Sequence, residues 1–427
     1  MGQSPGAYRG VTVVAFATSA AMWFVGYLCR LPGAAVPGWV VGTLLSGVHV
    51  AGGIAAARTS SAGWRAGGAA GFVTSLVNLL VLGSVLGDAA SGGRAAAVVW
   101  IPAFLAAGAL AGGAAGALAT VGGRSVVAVD WNAAFAWVAA AATLLLVVVG
   151  GLVTSHEAGL AVVDWPNTFG TSMFLYPLSR MTGGIYFEHA HRLFGALVGL
   201  TTLALAYRLL RSESRRPVRG LAWVAVFAVI GQGVLGGLRV TGRFTLATDP
   251  AATAPNLTLA AVHGITGQLF FALLVALAVV TSSGWRQSPR PHQRSGAWEG
   301  PVVVAALLLQ LGLGAVLRHF GKALLAHATW GGGVLGMAIF AAVRGRGAAA
   351  APPLRRLASA LLVVAPVQVA LGLAAWLTTS ARVPGSAPPP VVEVIAATAH
   401  QVNGALLLAI AVAFALWQRR GSRGAVG

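Results

Sequence analysis

The sequence predicts an all-α, polytopic membrane protein with about twelve transmembrane helices. Its 427 residues are 57% hydrophobic and only 9% charged, and the mean hydropathy is +0.81. Soluble domains carry about one quarter charged residues, so lipid must be the solvent for most of this chain. Apolar runs of about 20 residues, the length that crosses the hydrocarbon core, recur along it. We expect two pseudo-symmetric four-helix bundles, preceded by four extra helices.

The candidate spans follow one another with short polar connections. We place them at residues 11–29, 38–57, 68–87, 96–120, 134–154, 188–209, 220–239, 258–282, 300–317, 324–343, 357–378 and 395–417. The third is the least apolar, because glycines dilute it. The predicted domains are residues 1–128, an accessory four-span region, 129–285, the N-terminal four-helix half, and 286–427, the C-terminal half.

Charge predicts the orientation of the spans. The net charge is +19, but the basic residues form short clusters between apolar runs, which argues against a nucleic-acid partner. Placing both termini in the cytoplasm puts most Lys and Arg residues inside, as the positive-inside rule requires. The Ala, Gly and Arg bias suggests a bacterial inner membrane. The single cysteine, Cys29, excludes an intramolecular disulfide and a Cys-rich metal site.

Several cations fall on the outer side and require a reason. One explanation is pairing with carboxylates on the same side, which are Glu157, Asp164, Glu188, Asp249 and Glu393. Haem propionates at the water interface would bind such groups. The candidates are Arg192, Arg239, Arg243, Arg318 and Lys322. We interpret Arg382 and Arg180 as ordinary solvated loop charges.

A short motif repeats at the outer ends of three spans. Each copy reads Gln-x-x-Leu-Gly, and each is followed one outer loop later by a histidine in the next span. The copies begin at Gln232, Gln310 and Gln368, and the histidines are His263, His327 and His400. A repeated hairpin explains this pattern and suggests two copies of a four-helix unit. The glycines would let backbones or a flat macrocycle approach closely, and generic small-residue packing explains any single one equally well.

Four histidines, His191, His263, His327 and His400, lie a few residues inside apolar spans. Ionisable imidazoles are costly in a bilayer, and two at equal depth can ligate one haem iron. Within each half the two His-bearing helices run in the same direction, so we pair His191 with His263 and His327 with His400. A proton pathway and interhelical hydrogen bonding are the alternatives.

Glu188 lies one helical turn before His191, on nearly the same face. A carboxylate there can accept a proton or stabilise charge on a bound substrate, so Glu188 is the candidate catalytic residue. The alternative is a helix N-terminal acid favoured by the macrodipole. His189 and His319 are candidates for supporting the ligand histidines.

These residues resemble the haem A synthase family over about residues 134–420. The matching motifs are Gly151-Leu152-Val153-Thr154, Gly159-Leu160, Asp164-Trp165-Pro166, Glu188-His189-Ala190-His191-Arg192, Gly236-Gly237-Leu238-Arg239-Val240, His263, Arg318-His319, His327 and His400. The resemblance implies oxidation of the C8 methyl of haem O to the formyl group of haem A. It also implies a haem B cofactor at His327 and His400, with substrate haem O at His191 and His263.

The chain departs from the family in two ways. The outer loop lacks the cysteine pair of some members, and the first four spans, with His49 in mid-helix, are extra. They are candidates for an accessory or assembly module, a surface for haem O synthase or an oxidase assembly factor, or mere packing. The redox partner is unknown. Two other functions stay open: a di-haem cytochrome b-type electron carrier, and a proton-coupled transporter.

Overall fold

The computed structural model describes residues 8–83, 94–121, 126–241, 254–288, 297–347, 350–380, 382 and 387–421. Over this part of the chain the protein is helical, apart from a two-stranded ribbon and two short 3-10 turns. The helices are α1 (Val11–Cys29), α2 (Gly38–Arg58), α3 (Trp64–Val81), α4 (Arg94–Leu118), α5 (Trp131–Ser155), α6 (Gly183–Ser212), α7 (Arg216–Thr241), α8 (Ala254–Thr281), α9 (Ser283–Gln287), α10 (Glu299–Phe320), α11 (Leu324–Gly345), α12 (Pro352–Thr379) and α13 (Val391–Gly421).

Eleven helices in the described ranges are long and apolar enough to cross a membrane. The predicted all-α, polytopic fold is thus confirmed. The exception among the predicted spans is α3, which is helical but not apolar enough to count, because glycines and Arg65 lower its hydropathy. Each of the twelve predicted spans coincides with a long helix, and within the described residues eleven of these helices also meet the length and hydropathy expected of a span. Several helices also extend past the predicted apolar segments; α6, for example, begins at Gly183 rather than residue 188.

The chain divides into two compact units. The first comprises residues 1–146 and 161–205, and the second comprises residues 147–160 and 206–427. The first four helices therefore share a unit with the outer loop and with the part of α6 that carries Glu188. The domain boundaries proposed at residues 128/129 and 285/286 stay predictions.

In the first unit, α1 to α4 pack against one another through small residues. A Cβ atom added to Gly67 would lie 2.5 Å from the carbonyl oxygen of Gly112 on α4, so the two backbones are in direct contact. Because glycines line this crossing, the two helices are held by contacts between their backbones rather than by buried side chains. Nε2 of His49 lies 3.0 Å from the carbonyl oxygen of Gly108, which makes His49 an interhelical hydrogen-bonding residue.

Helix α1 also contacts the outer part of α6. The rings of Tyr27 and Tyr186 stack with centroids 5.3 Å apart, and the Tyr186 hydroxyl donates to the backbone carbonyl of Tyr27. The rings of Trp23 and Tyr27 each make a T-shaped contact with the ring of Phe194, with centroids 5.6 and 5.7 Å apart. Aromatic pairs of this kind stabilise a contact by more than the area that they bury, so α1 stabilises the helix that carries Glu188 and His191.

The second unit is built from three antiparallel hairpins, α7 with α8, α10 with α11 and α12 with α13, and α8 and α13 contact one another and α10. The side chain of Glu299, 5% exposed, accepts hydrogen bonds from Arg344 Nε at 2.6 Å and Gln418 Nε2 at 2.8 Å. This carboxylate thereby joins α10, α11 and α13. A buried charge needs such partners, since an unpaired one is strongly destabilising.

Candidate functional site

Glu188 and Arg192 form a buried ion pair one turn apart on α6. Nε and Nη2 of Arg192 each lie 3.3 Å from Oε1 of Glu188. Glu188 is 4% exposed and Arg192 is 9% exposed. Because both side chains are buried, each needs the other as a partner.

The remaining donors of Arg192 bind the outer loop that follows α5. Nη1 donates to the carbonyl oxygens of Asp164 at 2.6 Å and Asn167 at 3.0 Å, and Nη2 donates to that of Val162 at 2.7 Å. We predicted Arg192 as a ligand of haem propionates. In the structure its planar guanidinium group instead donates hydrogen bonds both to Glu188 and to three loop carbonyl oxygens, a geometry that lysine cannot reproduce.

The same loop contains the two-stranded ribbon, formed by β1 (Asn167–Thr168) and β2 (Thr171–Ser172). The two turn residues, Phe169 and Gly170, both have positive φ, as a tight hairpin requires. Asp164 accepts from both of their amides at 2.8 Å. Partial burial would raise the pKa of Asp164, but these hydrogen bonds and the charge of Arg192 outweigh it, so the pKa lies below its ordinary value.

A second contact fixes the ribbon to α6. Nδ1 of His189, which is fully buried, lies 3.0 Å from the hydroxyl of Thr168, and the Tyr176 ring lies 5.1 Å from the imidazole. His189 thus supports the loop. Sequence reasoning missed Thr168, which no motif distinguishes from an ordinary loop residue.

His191 lies on α6 in the first unit, whereas His263 lies on α8 in the second. Each is about two helical turns inside its helix. Their pairing across a substrate haem stays a prediction.

The repeated motif makes an interlocking contact in each of the three hairpins of the second unit. The glutamine amide lies against a glycine of the returning helix, and the glycine four residues after the glutamine faces the imidazole. The facing positions are Gln232 with Gly267 and Gly236 with His263, Gln310 with Gly331 and Gly314 with His327, and Gln368 with Gly404 and Gly372 with His400. A Cβ atom at Gly372 would lie 2.8 Å from Cε1 of His400, and one at Gly314 would lie 3.0 Å from that of His327. These glycines therefore make room for the rings.

His327 and His400 come together in the second unit. Their ring centroids are 6.2 Å apart and the ring planes are inclined at 78°. Two in-line metal–imidazole bonds of about 2 Å each put the ring centroids roughly 6 Å apart. Nδ1 of His400 lies 3.2 Å from the carbonyl oxygen of Gln368, a contact that favours a proton on Nδ1 and the Nε2 atom as ligand. The pair fits bis-histidine ligation of a haem iron.

The predicted outer cations of this unit lie around residues 154–159. Arg318 donates to the carbonyl oxygen of Thr154 at 2.9 Å, and the guanidinium of Arg239 fills the space beside Gly159. Arg382 binds Glu157 and Glu393, so the expectation that it is a solvated loop charge is wrong. Two carboxylates at its loop position give it a paired, structural role.

Lys322 and Arg243 are the two remaining predicted propionate ligands. Lys322 is exposed in the turn between α10 and α11. Arg243 lies outside the described residues. The roles of Arg239, Arg318 and Lys322 toward propionates stay predictions.

These features define a class: a polytopic helical membrane protein with a two-histidine site suited to haem. Residues 176–333 match the sequence model of the COX15-CtaA family, described as cytochrome oxidase assembly protein. Two curated relatives carry the name heme A synthase. The protein of Beijerinckia indica subsp. indica is 30% identical over 224 residues, covering 45% of this chain and 59% of the relative. That of Caulobacter sp. (strain K31) is 26% identical over 348 residues, covering 66% of this chain and 95% of the relative.

Proposed function

We propose that the protein is a haem A synthase, a membrane oxidoreductase that converts the C8 methyl of haem O to the formyl group of haem A. The observation that carries the proposal is the pair His327 and His400, whose ring separation of 6.2 Å suits one iron. The family match over residues 176–333 supports it. We assign haem B to this pair, and substrate haem O to His191 and His263.

Oxidising an unactivated methyl group is beyond the acid and base chemistry of side chains, and an iron porphyrin supplies the necessary redox chemistry. The protein's own residues bind, orient and shield. Glu188, paired with Arg192, can accept a proton at a carboxylate oxygen as the methyl group is oxidised. The loop held by Arg192 and His189 limits water access to Glu188 and keeps the carboxylate in place.

The remaining assignments follow from the sequence. The protein would lie in a bacterial inner membrane with both termini in the cytoplasm, as the distribution of Lys and Arg favours. An unidentified redox partner would accept the electrons. The contact between α1 and α6 supports an accessory role for the first four helices, with haem O synthase or an oxidase assembly factor as candidate partners.

The test is expression alongside a source of haem O, followed by extraction and chromatography of the haems. We expect haem A with the native chain. We expect Glu188→Gln to make none while the purified protein keeps its haem B Soret band. Glu213→Gln is the matched control, because Glu213 also pairs with an arginine, Arg215, and lies at the other end of α6.

Each alternative function gives a different result. Purified protein without a Soret band would leave only the transporter. Haem-loaded protein that never yields haem A would favour the electron carrier. Haem A made at the native rate by Glu188→Gln would remove Glu188 from the chemistry while leaving the enzyme assignment intact.

A further inference from the structure

We propose that Gln310 and Gln368 are positioning residues that hold the imidazoles of His327 and His400 nearly perpendicular to one another. The inference rests on the proposed function, since it takes the two rings to ligate one haem iron. It adds a role for the repeated glutamine: this side chain sets the rotation of each ligand ring about its own axis.

The contacts around Gln368 fix its amide in one orientation. Asn403 Nδ2 donates to Oε1 of Gln368 at 2.8 Å and to the carbonyl oxygen of Val364 at 3.1 Å. Nε2 of Gln368 is thereby directed at His400, where it lies 3.2 Å from Nδ1 and 3.4 Å from the ring Nε2. With Gly372 close to Cε1, the ring has little freedom to rotate.

Gln310 makes the equivalent contacts in the preceding hairpin. Its Nε2 donates to the backbone carbonyl of His327 at 3.1 Å and lies 3.2 Å from Nδ1 and 3.4 Å from Nε2 of the ring. One amide therefore contacts both the main chain and the side chain of the same histidine. Trp330, one turn further along α11, donates to the carbonyl oxygen of Ala306 and holds the two helices in register.

The third copy of the motif supplies a natural comparison. Nε2 of Gln232 donates to the hydroxyl of Thr266 at 2.6 Å. Thr266 lies three residues after His263, as Asn403 lies three residues after His400. In this copy the hydroxyl engages the nitrogen end of the amide, whereas Asn403 engages the oxygen end of Gln368 and leaves its nitrogen to the ring. In the His263 hairpin the amide nitrogen of the glutamine therefore binds a threonine, whereas in the His400 hairpin it contacts the imidazole.

The relative rotation of two axial imidazoles is measurable in the ferric haem. Perpendicular ring planes leave the iron orbitals nearly degenerate and give a low-spin electron paramagnetic resonance signal with a large maximum g value. Rotation toward parallel planes lowers that value. The observed 78° predicts the large-g signal for haem B in the native protein.

The experiment records this signal for full-length protein purified with haem B, as the native chain and as Gln310→Leu, Gln368→Leu and Gln232→Leu. We expect the first two variants to keep their haem, with the maximum g value shifted downward or the signal broadened. Gln232→Leu, the matched control, should keep the native haem B signal. Gln→Met variants, which fill similar volume without an amide, should behave like the Leu variants.

Other outcomes overturn the proposal. Native signals in both Gln310→Leu and Gln368→Leu would show that the glutamines do not orient the rings. Haem loss accompanied by a collapse of thermal stability in both the Leu and Met variants would assign them a purely structural role. A native protein that binds no haem B would instead defeat the proposed function itself, so the two failures are distinguishable.

Discussion

Arg192 donates a 2.6 Å hydrogen bond to the backbone carbonyl of Asp164 while the same guanidinium pairs with Glu188. The conformation of the outer loop and the position of the candidate catalytic carboxylate therefore depend on one side chain. A change in the loop would alter Glu188 without touching it, because the shared guanidinium cannot serve both sets of acceptors from another position.

We expect Arg192→Lys to loosen the loop and reduce haem A formation, although the positive charge is kept. An ammonium group cannot reach Glu188 and three carbonyls at once, and the lost hydrogen bonds should cost about 2 kcal/mol. That corresponds to roughly a 30-fold faster amide exchange in residues 162–172. Hydrogen exchange with mass spectrometry measures this. Arg180→Lys, at an exposed position, is the control. Equal amide exchange in the two variants would show that Arg192 does not hold the loop in place.

Gly372→Ala should weaken haem B binding. The new Cβ would lie 2.8 Å from Cε1 of His400, so the ring or the helix has to move, at a cost of about 2 kcal/mol. The ratio of Soret to protein absorbance after purification reports the loss. Gly312→Ala is the control, since a Cβ there meets nothing within 4 Å. Native haem content in Gly372→Ala would mean that the glycine is not needed to seat the ring.

The hairpin of the outer loop should lose stability in acid. The pKa of Asp164 is lower in the folded protein than its ordinary value of 3.8, so its contribution is fully present above that value. It is lost as the pH falls through the lowered pKa. Limited proteolysis of the loop, with an acid-active protease between pH 5 and about 2, should show increasing cleavage. Asp164→Asn should remove this pH dependence, and a dependence that survives the substitution would point to another group.

Gly112→Ala should destabilise the cluster formed by α1 to α4. The added Cβ would lie 2.5 Å from the carbonyl oxygen of Gly67, and separating two packed backbones costs about 1 to 3 kcal/mol. Thermal unfolding in detergent should show a lower Tm than that of the native chain. Gly47→Ala on α2 is the control, because a Cβ there meets nothing within 4 Å, and similar Tm values would argue against close packing.

Periodicity and spacing were sufficient to predict the helices and the facing of His327 and His400. The apolar runs predicted each of the twelve long helices in the described part of the chain, because hydropathy depends on local composition alone. The Gln-x-x-Leu-Gly repeat indicated hairpins, and the structure brings each glycine against the imidazole of the next helix. The repeat could be recognised from the sequence because the glutamine, leucine and glycine of each copy keep the same spacing and a histidine follows in the next span, although the interval to that histidine varies.

The sequence indicated pairing with carboxylates on the same side as one explanation for the outer cations, but it did not indicate which cation binds which carboxylate. Arg192 and Arg382 each bind groups whose positions depend on how a loop folds back, which no local pattern encodes. The weak apolarity of α3 marked it as the least secure span, but its helical bounds at Trp64–Val81 depend on contacts with α4. Asn403 lies three residues after His400, but the sequence does not show that its amide binds Gln368.

In each of the three hairpins, the glutamine of one helix packs against a glycine of the other, and the histidine of the second helix packs against a glycine of the first. Neither helix of a pair can therefore slide along the other. A shift of one turn would carry each imidazole out of its glycine recess and drive the glutamine amide into a neighbouring side chain. The depth of the imidazole nitrogens in the bilayer is therefore set when the hairpins assemble. A macrocycle arriving later would meet a preset gap and would not have to draw the helices into alignment.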